Sequence, residues 1–99
     1  NLSYILWLKR VSVTYEKQIE MKTMTCKQLG GACDMQFHAN SFEEIAEQSK
    51  KHGMAMFQAG NTDHMEAMKK MQELMSTPDA LAKWFENKRK VFEALPTNK

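Results

Sequence analysis

The stretch that decides the fold is "MKTMTCKQLGGACDMQFHA", residues 21–39. "MKTMTC" and "CDMQFHA" each alternate apolar with polar residues, the period-two pattern of half-buried strands. Between them "KQLGGA" carries turn chemistry, since Gly30 and Gly31 can supply the positive φ that a reversal needs. The pattern predicts a β-hairpin over residues 21–40. If Cys26 stands opposite Cys33, Met24 faces Met35 and Lys22 faces Phe37. Strand parity then puts Met24, Cys26, Cys33, Met35 and Phe37 on one side. Thr25, Asp34, Gln36 and His38 fall on the other. Both thiols look toward whatever covers the apolar face, and His38 looks away from it.

Three helices are predicted after the hairpin. Over 41–59, Ser41 and Glu44 make an S-x-x-E capping box, and Glu43 and Glu44 suit the positive end of the helix dipole. Phe42, Ile45, Ala46, Ser49, His52, Gly53 and Met56 recur on one face. Gly60 is a natural stop, and Gly53 inside the helix points to close packing or a bend. A second helix over 62–76 restarts at Asn61 to Asp63, with Met65, Met68, Met71, Leu74 and Met75 as its apolar stripe. The third, over 78–95, has Thr77 as cap and Pro78 in its first turn. Its buried side is read as Leu81, Trp84, Phe85, Val91, Phe92 and Leu95, and Pro96 ends it. The fold class is therefore α+β, a hairpin followed by three helices, without repeats.

Upstream, residues 1–20 show no clear helical period and no capping signal; only Val11, Val13 and Tyr15 alternate as a short strand would. Met21 reads like a natural start. Residues 1–20 are thus expected to be a non-core N-terminal extension, and 21–99 a single small domain. The longest apolar run, Tyr4 to Leu8, is far short of the roughly 20 residues of a membrane span. No basic region precedes it and no small-residue cleavage site follows, so a soluble, cytoplasmic protein is the default expectation.

Bulk composition excludes several classes. The chain has 99 residues, 14 basic and 12 acidic, for a net charge of +2. That lacks the basic excess of a nucleic-acid binder and is not a disordered composition. Two cysteines are too few for a secreted disulfide scaffold. A chain this small gains little from its core unless a metal, a disulfide or a partner contributes.

The cysteines carry the chemical question. Two thiols on a hairpin and a histidine on the following helix have the logic of a small zinc site, because soft thiolates and imidazole suit Zn²⁺. Cys26, Cys33 and His52 are the candidates. The C-x6-C spacing is looser than the C-x2-4-C usual in zinc fingers. Glu47, five residues before His52, and His64, from the next helix, are the candidates for a fourth ligand. Gln48 is a poor ligand, and Asp34 points to the other strand face. Buried free thiols are an equal alternative on these residues. A cross-strand disulfide is disfavoured by a cytoplasmic setting, and a catalytic thiol would rely on Lys27 and His52. The nine methionines, all from Met21 onward, read as adaptable core or partner surface rather than as a copper site. Lys88, Arg89 and Lys90 read as a solvated face.

At these residues a family resemblance enters. "MKTMTCKQLGGACDMQFHANSFEEIAEQSKKHG", residues 21–53, resembles the small prokaryotic family catalogued as domain of unknown function 1059, whose members are described as predicted small metal-binding proteins. The shared features are the C-K-x-L-G-G-x-C-D hairpin, the acidic helix start and the H-G of His52 and Gly53. They cover roughly residues 21–59. Many members carry another histidine about a turn before the H-G; here "EQSKK" fills that stretch, with Glu47 nearest. The resemblance implies metal binding.

Two functions from different classes follow. The first is a non-catalytic metal-binding module, with zinc the expected ion. The second is a metal-free interaction or homo-oligomerisation module using the Met-rich and aromatic helical faces. No paired carboxylates, phosphate loop, nucleophile elbow or HExxH argues for an enzyme.

Overall fold

A computed structural model describes residues 20–98. The expected extension over 1–20 lies, but for its last residue, outside the described residues. The remainder is a two-stranded antiparallel hairpin followed by three helices. The strands are β1, Lys22–Thr25, and β2, Gln36–Ala39. The helices are α1, Phe42–Gln58, α2, Thr62–Leu74, and α3, Pro78–Ala94.

The hairpin register differs from the expected one by two residues. Lys22 pairs with Ala39, Thr23 with His38, Met24 with Phe37 and Thr25 with Gln36. The reason lies in the connection. Instead of a tight reversal, a 3-10 turn at Lys27–Leu29 takes up chain, and Gly30 then adopts φ +92°. The Leu29 and Gly31 N–H groups both donate to the Cys26 carbonyl, at 3.1 and 2.8 Å. A shift of two preserves parity. Met24 and Phe37 therefore still face inward, at 0% and 3% exposure, and His38 still faces out. Met35, expected on the apolar face, precedes the paired strand and is 51% exposed. Cys33 likewise stands in the loop rather than opposite Cys26.

Helix α1 begins as its residues dictate. The Ser41 hydroxyl accepts from the Glu44 N–H, and Phe42 and Ile45 bury in the first turns. Gln48 donates to the His38 carbonyl at 2.9 Å and fastens the helix to β2. Gly60, with φ +72°, turns the chain back. Asn61 caps α2, its side-chain oxygen accepting from the His64 N–H. A methyl group at Gly53 would stand 3.2 Å from the Met68 methyl. Close packing, then, explains that glycine.

The inward face of α2 is His64, Met68, Met71 and Met75, so the expected stripe is rotated. Met65 is 42% exposed and Leu74 65%. Methionine is spread around much of this helix, and apolarity alone does not choose among its faces. The close approaches of Met68 to Gly53 and Met71 to Gly30 do.

Helix α3 is capped by Thr77, whose hydroxyl accepts from the Ala80 N–H. It enters the core at its far end, where Phe92 is buried against Phe42. The Lys22 ammonium donates to the Phe92 and Glu93 carbonyls at 3.2 and 2.9 Å, satisfying acceptors at the negative end of the helix. Leu81, Phe85 and Val91, expected on the buried side, are about 40% exposed. Phe85 lines an open groove of about 700 Å³ whose walls also include Phe42, Met68, Met75 and Trp84. The core proper is Met24, Cys26, Leu29, Phe37, Ala39, Phe42, Ile45 and Phe92.

Candidate metal centre

Local backbone chemistry positions the first two ligand candidates. Cys26 follows β1 and opens the 3-10 turn, its N–H donating to the Met35 carbonyl at 2.8 Å. The chain wraps around the Cys26 carbonyl through the Gly pair, and Cys33 returns with its own carbonyl accepting from the Lys27 N–H at 3.0 Å. Gly30 is needed for its φ. Gly31 is needed for space, because a Cβ there would collide with the Cys26 sulfur.

Two helices supply the histidines. His52 lies on the face of α1 that meets the hairpin, its ring edge-on to Phe37 at 5.7 Å. His64 stands in the first turn of α2 and is 5% exposed, a polar side chain inside an otherwise apolar cluster. The Cys33 sulfur and His52 Nε2 are 3.2 Å apart, and the Cys26 sulfur and His64 Nε2 3.6 Å. The two rings meet edge to face at 5.1 Å. All four ligand atoms lie within 4.8 Å of one another.

The cluster approaches the dimensions of a tetrahedral site. Zn–S bonds of about 2.3 Å and Zn–N bonds of about 2.0–2.1 Å give ligand-to-ligand edges of about 3.3–3.8 Å. The two S···N pairs sit at or just under that range, and modest side-chain rotations close the remaining edges. Two sulfurs and two imidazole nitrogens are a donor set that suits zinc.

Of the two candidates for a fourth ligand, the structure brings in His64. Glu47 is exposed and is not among the clustered groups. His38 is exposed too, its Nδ1 held 2.8 Å from the Thr23 hydroxyl.

Asn61 is a partner of the candidate site that sequence reasoning passed over. Its side-chain oxygen lies 3.0 Å from the His64 N–H and 2.8 Å from His64 Nδ1. The oxygen can only accept, so Nδ1 carries the proton and Nε2 keeps a free lone pair facing the thiols, able to accept from a thiol or to bind a metal. The signal was present as an Asn cap three residues before a histidine. Asn61→Ala is expected to lower metal affinity about 10- to 100-fold, the usual effect of losing such an orienting partner. A competition titration against a chromophoric chelator measures it, and an unchanged affinity would refute the orienting role.

Burial pushes the Cys26 thiol above its ordinary range, reinforced by the neighbouring Cys33 sulfur. Hydrogen bonds from the Cys33 and Ala32 amides act in the opposite sense, favouring the thiolate. Such donors are what a metal-bound sulfur retains after losing its proton.

Comparison with known proteins adds nothing to this geometry. No protein-family model, no curated protein and no solved structure matches the chain.

Proposed function

We propose that this protein binds one zinc ion through Cys26, Cys33, His52 and His64, and that the ion serves a structural rather than a catalytic role. The observation that carries the reading is the convergence of four soft and borderline ligand atoms within 4.8 Å from three separate elements. A four-ligand set leaves no position for water or substrate, which is the hallmark of structural zinc. The ion joins the hairpin loop to α1 and α2, supplying stability that so small a core lacks.

The resemblance to the domain of unknown function 1059 family supports the same reading. Free thiolates suit a reducing compartment such as the cytoplasm. No helix among the described residues is long and apolar enough to cross a membrane.

Elemental analysis of protein purified without chelator tests the proposal. One zinc per chain is the expected result, and metal-free protein with both thiols free would end it. Affinity should also fall as the pH is lowered. Thiols must lose protons to bind, and burial already raises the Cys26 thiol, so protons compete with the metal. An affinity independent of pH would mean that the thiols are not ligands.

A second reading is an interaction or self-association module. It is favoured by the open groove and by the exposure of Met54, Phe57 and Leu74, at 53%, 56% and 65%. Light scattering across a range of concentrations tests it, a constant monomer mass arguing against self-association.

A further inference from the structure

We infer that Cys33 is the oxidation site of this centre and Cys26 its resolving thiol, so that a peroxide converts the pair to a disulfide and expels the metal; the inference rests on the zinc reading above. Three observations carry it. The two sulfurs are within 4.8 Å of each other, close enough that side-chain rotation can bring them to the roughly 2.05 Å of a disulfide. The Lys27 N–H donates to the Cys33 carbonyl at 3.0 Å, which holds Cys33 beside the residue that follows Cys26. The loop between them contains Gly30 and Gly31, where the backbone is least hindered from adjusting.

The two sulfurs differ in access. Cys26 is 3% exposed and belongs to the core, whereas Cys33 is half-buried and next to exposed Asp34 and Met35. A small oxidant arriving from solvent therefore meets Cys33 first. Ligation holds that sulfur as a thiolate, the nucleophilic form.

The chemistry balances with hydrogen peroxide as the named oxidant. A lone pair of the Cys33 sulfur attacks one peroxide oxygen. The O–O bond breaks, hydroxide leaves and takes a proton from solvent, and Cys33 becomes a sulfenic acid. Its bond to zinc is lost in that step. The Cys26 thiolate then attacks the Cys33 sulfur, the S–O bond breaks, and a second hydroxide departs. Two electrons pass from the sulfurs to one peroxide. Zinc stays divalent throughout, and with only His52 and His64 remaining it dissociates. Release of the metal removes the ligation that joins His64 to the hairpin loop and leaves α2 held there by packing, such as Met71 against Gly30.

The test uses full-length protein loaded with zinc under reductant, its stoichiometry measured before the reductant is removed. Peroxide is titrated in the presence of a chromophoric zinc indicator, and peptides are mapped by mass spectrometry. The expected result is one zinc released per disulfide formed, a mass loss of two hydrogens, and a Cys26–Cys33 cross-link. A dithiol should restore both thiols and zinc uptake. In a parallel reaction with a sulfenic-acid trap, the adduct should sit at Cys33 at least tenfold more often than at Cys26. Protein that takes up no zinc overturns the metal reading and the release with it. Protein that holds one zinc but keeps it through the titration, or that is trapped equally at both sulfurs, overturns this inference and leaves the zinc reading standing.

Discussion

His64→Ala is expected to abolish stoichiometric zinc binding and to remove the chelator-sensitive part of the protein's stability. The replacement leaves two thiolates and one imidazole, and it takes the only clustered ligand of α2 out of the site. In structural sites the binding energy is folding energy, about 10–16 kcal/mol in small zinc domains. Losing a ligand forfeits much of it. The Cys26 sulfur is then left 3% exposed without a counter-charge, which burial penalises in the charged form. Cys26→Ser, Cys33→Ser and His52→Ala should act the same way. Their effects should be strongly non-additive, because a second loss removes little from a site already spoiled. Chelator should lower the wild-type Tm and leave each of these variants unmoved. His38→Ala, on the outer face, should bind zinc like the wild type. Full zinc occupancy in His64→Ala would remove that residue from the ligand set and reopen the question of the fourth ligand.

Phe92→Ala is expected to cost about 3–5 kcal/mol, the range for emptying a buried aromatic site. Phe92 is 2% exposed, meets Phe42 edge-on with ring centres 6.2 Å apart, and lies beneath the Lys22 ammonium at 5.2 Å. It is the single side chain of α3 that enters the core. Against a total stability of roughly 5–15 kcal/mol for a domain, the loss should leave α3 detached or the whole chain marginal. Val91→Ala, one position away but 39% exposed, should cost well under 1 kcal/mol. Urea unfolding of zinc-loaded protein measures both. Equal costs at the two positions would mean that α3 does not dock through Phe92.

Which features were legible depends on the range of the interactions that determine them. Helix starts are local events, each decided by a few consecutive residues. Ser41, Asn61 and Thr77 cap the three helices with their side-chain oxygens; the sequence alone places Ser41 and Thr77, and it puts the start of the second helix at Asn61 to Asp63. Strand parity is local as well, so alternation by itself assigns Met24 and Phe37 inward and His38 outward. Cys26, Cys33 and His52 were also visible, because a hairpin and its following helix leave few ways to face one another.

Register, helix phase and the last ligand were settled only in three dimensions. The hairpin slipped by two residues because backbone hydrogen bonds to the Cys26 carbonyl shape a longer loop, and side-chain alternation is blind to an even shift. The face of α2 was ambiguous because methionines lie on several sides of it; contact with Gly30 and Gly53 selects one. His64 reaches the Cys26 sulfur across 38 residues of sequence. Its arrival depends on Gly60 reversing the chain and on α2 packing along α1. A residue five positions from His52 was the nearer candidate by counting, yet Glu47 points to solvent. The sequence by itself determined the elements and pointed to Cys26, Cys33 and His52, with Glu47 and His64 as the candidates for a fourth position. The fourth came from tertiary packing, because only the docking of one helix against another brings so distant a side chain to the same point.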